Sequence, residues 1–161
     1  MRIFTIGVAE QKVAKAPDKL VTLGLGSCIG LVLYDPIAKI GGMVHIMLPT
    51  ASIRSEVTNR FKFADTAIVD MLDLVVKEGA ARQRLRAKIA GGAHMFRTSG
   101  TIDIMNVGLR NIAMCRKVLE EQRIILDGED TGGSSGRSIE FCCESCTLSI
   151  RTVTPKAVKV I

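Results

Sequence analysis

Within the first 48 residues, four apolar runs at 3–8, 20–25, 29–34 and 39–48 follow one another with very little chain between them. The separators include Pro17-Asp18, Asp35-Pro36 and the turn Gly24-Leu25-Gly26-Ser27-Cys28-Ile29-Gly30. Proline and aspartate favour turns, and glycine takes backbone angles closed to other residues. Gaps this short leave no room for crossover helices, so the runs are expected to be strands joined as antiparallel meanders. A chain that begins this way is committed to a sheet, and its helices must cover that sheet.

The helices come later. After a polar loop through residues 49–59, Ala64, Ile68, Met71 and Val75 recur at helical spacing, with Gly79 as the C-terminal cap. A second amphipathic helix is expected from about Asn106, its N-cap, to Gln122. Residues 85–90 read as a strand closed by Gly91-Gly92, residues 93–105 as loop, and 124–126, 137–141 and 147–153 as further strands. Residues 131–136, Thr-Gly-Gly-Ser-Ser-Gly, form a turn between two of them. The chain has 161 residues, 47% of them hydrophobic, which suits one globular domain with a full core. The expectation is a single α/β domain over 1–161, a sandwich of mainly antiparallel strands covered by two long helices.

Composition excludes several functions. The apolar stretches are broken by Gly, Lys or Asp well short of membrane-spanning length, and residues 1–4 lack a secretory leader's apolar region. A cytoplasmic protein without membrane insertion is expected. The net charge of +6 is scattered, with one cluster at Arg82, Arg84, Arg86 and Lys88 whose alternation resembles the solvent face of a strand or its lead-in. No aromatic residues interleave with it as stacking platforms, so a nucleic-acid partner is not expected, and an acidic protein partner fits equally well. Five cysteines, an odd number, point to reduced thiols rather than a disulfide framework. Cys142, Cys143 and Cys146 lack the second ligand pair of a zinc site and read as a strand end carrying incidental thiols. Cys115 falls on the apolar stripe of the second helix as a small core residue.

Cys28 is different, because small residues surround it and leave a substrate room to approach. His45, one of only two histidines, lies seventeen residues later in its own strand-like run. A cysteine and a histidine on neighbouring strands are the minimum apparatus of thiol nucleophilic catalysis, the imidazole taking the thiol proton and returning it to a leaving group. Thr22, six residues before Cys28, can orient the imidazole through its hydroxyl or its carbonyl. The turn Gly26, Ser27 and Cys28 can supply backbone N–H groups, that of Cys28 first, to an oxyanion. The same glycines fail as a dinucleotide fingerprint, since Ile29 stands where the third glycine belongs and a strand follows in place of a helix. No Gly-Lys-Ser/Thr follows for a phosphate loop either. No cofactor or metal is needed.

The blocks Thr22-Leu23-Gly24-Leu25-Gly26-Ser27-Cys28 and Gly42-Met43-Val44-His45-Ile46-Met47-Leu48-Pro49 closely resemble the chemoreceptor glutamine deamidase family, CheD. Lys88 to Ala93, Asn106 to Asn111, and Asp130 to Gly133 with Gly136-Arg137 resemble that family's later blocks, in order. The resemblance implies a cysteine hydrolase on an α/β sandwich, with Cys28 as nucleophile, His45 as base and Thr22 as the orienting residue. It implies a substrate, a glutamine on the cytoplasmic helices of a methyl-accepting chemotaxis receptor, and a regulator, a CheC-type phosphatase. The turn at 142–146 and His94-Met95 depart from the family pattern. Two other classes stand beside this reading: a catalytically weak regulatory module that only binds CheC, and a thiol redox protein.

Overall fold

A computed structural model describes residues 1–51, 59–95 and 106–161. Much of the loop expected at 93–105 and most of the loop at 49–59 lie outside the described residues. Among the described residues, ten strands and two α-helices follow in the order β1 (Ile3–Thr5), β2 (Gln11–Lys15), β3 (Lys19–Leu25), β4 (Ile29–Asp35), β5 (Ile40–Ile46), α1 (Ala64–Lys77), β6 (Arg86–Gly91), α2 (Val107–Glu121), β7 (Ile125–Thr131), β8 (Arg137–Cys142), β9 (Thr147–Val153) and β10 (Lys156–Val160). They form two five-stranded sheets, β1-β3-β8-β9-β10 and β2-β5-β4-β6-β7. Pairing is mainly antiparallel, as expected from the short connections, but β1 with β3 and β6 with β7 run parallel. The β6–β7 pair is parallel because α2 lies between them in sequence and serves as the crossover.

Strands β4 and β5 are buried along their whole length, which is why they read as near-continuous apolar runs. Their residues divide by parity. Ile29, Leu31, Leu33, Val44 and Ile46 face a core shared with Ile68, Met71 and Val75 of α1 and Ile112, Cys115 and Leu119 of α2. Val32, Tyr34 and Met43 face the opposite way, into a second core with Leu20, Leu25, Ile139, Phe141 and Ile150 of the first sheet. The helices therefore pack on one face of the second sheet, and the first sheet packs on the other. The expectation of helices covering a sandwich holds for that one side.

The sequence reading misses β2 and β10. Strand β2 has a polar composition, Gln11-Lys12-Val13-Ala14-Lys15, because it is an edge strand beside β5. Strand β10 is exposed throughout and pairs only with β9. The basic cluster divides between the lead-in to β6 and the strand itself. Arg82–Arg84 is a 3₁₀ turn, Arg84 pairs with the buried Asp35, and Arg86 and Lys88 both lie 3.6 Å from Asp127. Lys88 is only 8% exposed and its ammonium sits over the Tyr34 ring. Three of the four charges are thus paired with carboxylates of the same chain. Cys142 ends β8, and Cys143 to Cys146 make the turn into β9.

Candidate active site between the two sheets

The site lies where β3 hands the chain from the first sheet to the second. Inward-facing residues on β3 alternate at Leu20 and Thr22, and the next one inward is Leu25 rather than Gly24. The register against β8 shifts between Thr22 and Leu25, and Gly24 has φ +66°, so a glycine bulge re-aims the strand at this point. Leu25 then plugs the inter-sheet core, and the chain turns through Gly26, Ser27 and Cys28 into β4.

Thr22 and His45 meet across the two sheets. Both are buried, Thr22 completely, and the Thr22 Oγ1 to His45 Nδ1 distance is 2.8 Å. The threonine hydroxyl carries one hydrogen. It gives that hydrogen to the carbonyl of Ile6, 2.7 Å away, since a carbonyl can only accept. Thr22 must therefore accept from the imidazole, which assigns the proton to Nδ1 and leaves Nε2 with its lone pair. Nε2 is buried and has no hydrogen-bond partner among the described residues. Burial also pushes the His45 pKa below its ordinary value, so the neutral ring is the resting form.

By strand register Cys28 falls on the same face of the sheet as His45. Gly30 stands opposite His45 and Ile29 opposite Ile46, so Cys28, two residues before Gly30, shares its parity and is the diagonal neighbour of His45. The thiol is half-buried and packs against the inter-sheet core, the same space His45 faces. Burial raises its pKa, so at neutral pH Cys28 and His45 rest as an uncharged thiol beside an uncharged imidazole. Such a pair can pass the thiol proton to Nε2 as the sulfur attacks.

The turn is held by three separate bonds. The carbonyl of Gly26 accepts from Ala93 N–H at 2.8 Å, and that of Cys28 from Gly92 N–H at 2.9 Å. The carbonyl of Ser27 accepts from Nδ2 of Asn111, 2.9 Å away on α2. Gly91 allows the approach of the second loop. Its φ is +114°, and a Cβ there would stand 2.2 Å from the Cys28 carbonyl oxygen.

Thr22 and His45 are in direct contact, and by register Cys28 and its turn lie one diagonal step from His45. The sequence reading missed the Ile6 carbonyl, which decides the histidine tautomer, and Asn111. A backbone acceptor leaves no signal in side chains. Asn111 does leave one: it is an asparagine on the buried stripe of α2, between Gly108, Ile112 and Cys115. His94 stands in the loop after β6, its N–H bonded to the carbonyl of Gly133, and Asp130 lies 3.5 Å from Arg137 Nε. A groove of about 420 Å³ runs alongside, past Gly24, Met95, Arg137 and Arg151.

Residues 47–152 match the family described as CheD chemotactic sensory transduction. That match begins just beyond His45, but full-length relatives span the site. A probable chemoreceptor glutamine deamidase CheD of Caldanaerobacter subterraneus subsp. tengcongensis is 49% identical over 152 residues, 94% of this chain and 94% of that protein. Its counterpart in Moorella thermoacetica is 51% identical over 150 residues, 92% of this chain and 89% of that one. The chemoreceptor glutamine deamidase CheD of Bacillus subtilis is 45% identical over 152 residues, 94% of this chain and 92% of its own. With half its residues shared along nearly its whole length, the chain belongs to the CheD family.

Proposed function

We propose that this protein is a chemoreceptor glutamine deamidase, a single-domain cysteine hydrolase that converts receptor glutamine side chains to glutamate. The observation that carries the chemistry is the tautomer of His45. Its Nδ1–H is committed to Thr22, and its basic Nε2 is left free on the face that Cys28 shares. Relatives at 45–51% identity are named for this activity.

The reaction begins with attack of Cys28 Sγ on the side-chain amide carbon as Nε2 takes the thiol proton. Backbone N–H groups of the turn stabilise the oxyanion. His45 then passes its proton to the departing nitrogen, which leaves as ammonia, and a glutamyl thioester remains on Cys28. Water attacks the thioester with His45 again as base, releasing glutamate and the free thiol. Atoms balance as amide plus water giving carboxylate plus ammonium, with no redox step. Because the resting pair is neutral, the proton moves during attack rather than before it.

The same reading includes a CheC-type phosphatase as regulator and action in the cytoplasm, where receptor helices are presented. Mass spectrometry of a receptor cytoplasmic fragment, incubated with the wild type and with Cys28→Ala, tests the proposal. Site-specific Gln→Glu conversion by the wild type alone supports it. Equal conversion by a folded Cys28→Ala protein removes Cys28 from the chemistry, and no conversion by either favours a binding module.

A further inference from the structure

We infer that Asn111 is a positioning residue that aims the Cys28 N–H at the developing oxyanion, an inference that rests on the deamidase reading. Three successive peptide groups shape the turn: 26–27, 27–28 and 28–29. The first and third are pinned by backbone, their carbonyls accepting from Ala93 and Gly92 N–H. The middle one is pinned by a side chain, the amide of Asn111. That middle group contains the Cys28 N–H.

A trans peptide is planar, with its N–H and C=O pointing in opposite directions. Fixing the Ser27 carbonyl on Asn111 therefore fixes the Cys28 N–H to point away from α2. The N–H of the nucleophilic residue is the donor an acyl-transfer oxyanion meets first, and donors help only when aimed before the charge develops. The second Nδ2 hydrogen reaches the carbonyl of Met47 at 3.0 Å. By register Met47 is the residue opposite Cys28, so one amide group ties the nucleophile turn to the end of the strand that carries His45.

Orientation of the Asn111 amide follows from its partners. Both are carbonyls, so turning the group over would set Oδ1 against two acceptors. Oδ1 itself is buried and has no hydrogen-bond partner among the described residues, and Asn111 is fully buried. Its neighbours on the stripe, Gly108, Ile112 and Cys115, are apolar, so packing alone calls for no amide here. What the amide supplies is two donors, one to the nucleophile turn and one to the residue that follows β5.

The test compares two reactions of Cys28 in the wild type and Asn111→Ala. Deamidation of a receptor fragment passes through an oxyanion. Alkylation by iodoacetamide, followed on the Cys28 peptide by mass spectrometry, displaces iodide at a saturated carbon and does not. Expected are a fall in kcat of about 100-fold, and KM and alkylation rate within about threefold of wild type. A kcat within threefold of wild type overturns the inference. So does an alkylation rate that falls in step with kcat, since Asn111 would then only hold the fold around the thiol. Should Asn111→Ala not fold, Asn111→Val fills the space without setting a charge against the two carbonyls, and the same two rates decide. A wild type that converts no glutamine overturns the deamidase reading and the inference with it; an active wild type beside an equally active variant overturns the inference alone.

Discussion

The β4–β5 hairpin has two ends, and they treat buried polar groups in opposite ways. At the turn end, the fully buried carboxylate of Asp35 accepts from the N–H groups of Ile37, Ala38 and Ala81 and from both Nε and Nη2 of Arg84. Burial alone would raise its pKa, but Arg84 and these N–H groups hold it well below the ordinary carboxylate range. At the other end, among the described residues, His45 Nε2 and Asn111 Oδ1 are buried without a hydrogen-bond partner. An unmade hydrogen bond in a protein interior costs stability, so the second end is maintained against the tendency that organises the first. The turn end is built to hold the hairpin together. In the proposed mechanism the open end accepts a proton.

Removing the nucleophile separates the two ends most widely. Cys28→Ala is expected to lower deamidation by roughly 10⁴-fold or more, equivalent to about 5.5 kcal/mol of barrier, while leaving thermal stability close to wild type. Receptor-fragment turnover and a melting curve on the same sample check both halves. The reverse signature belongs to Asp35→Ala, which strands Arg84 and three N–H groups. Its expected cost is about 3 kcal/mol of stability at neutral pH, read by urea unfolding, with the kcat of the folded fraction little changed. Because the Asp35 pKa is depressed in the native state, that contribution is complete above about pH 4, the unfolded value, and is lost as pH falls further. A variant that loses kcat in proportion to stability would mean that the two ends are one unit.

Sequence made the open end more legible than the satisfied one. Cys28 and His45 stand out because a thiol among glycines and a rare histidine on an apolar strand have few other uses. The pairing of Thr22 with His45 was also expected, although its direction depends on the Ile6 carbonyl, which no residue type advertises. Asp35, by contrast, reads only as half of an Asp-Pro turn. Its partners Ala81 and Arg84 are more than 45 residues away in sequence, and Arg84 looked like part of a solvent-facing basic stripe. Lys88 misled in the same way, since a lysine on a strand between two cores is unexpected until Asp127 and Tyr34 are seen around it. Long-range ion pairs carry no periodicity, so patterns that find strands and helices cannot find them. The edge strands β2 and β10 escaped because one or both faces meet solvent, which removes the apolar signal.

His45→Ala comes next in size. Loss of the base is expected to lower kcat about a hundredfold or more, with a smaller change in KM. The wild-type pH profile sharpens the point. Burial lowers the His45 pKa, so the basic form survives below pH 6.5 and the acid limb of kcat/KM lies below that value. Burial raises the Cys28 pKa, so no gain from preformed thiolate is expected until strongly alkaline pH. A limb centred above pH 6.5 would point to a charged resting pair, with the histidine stabilised as imidazolium.

The smallest expected effect tests how the open end is kept open. Thr22→Val preserves shape but removes the oxygen that accepts from Nδ1–H. The imidazole is then free to carry its proton on Nε2, where it cannot take another from Cys28, and only the fraction in the competent tautomer reacts. A fall in kcat of about tenfold is expected, with Thr22→Ser restoring most of it because the acceptor oxygen returns. Nitrogen-15 spectra of the ring report the tautomer directly: Nδ1–H in the wild type and Thr22→Ser, a mixture in Thr22→Val. If the valine variant keeps Nδ1–H and full turnover, the strand geometry alone positions the ring, and Thr22 belongs with Asp35 among the groups that hold the fold. If turnover falls while the ring shifts its proton, a single hydroxyl between two sheets sets which nitrogen of His45 faces the nucleophile.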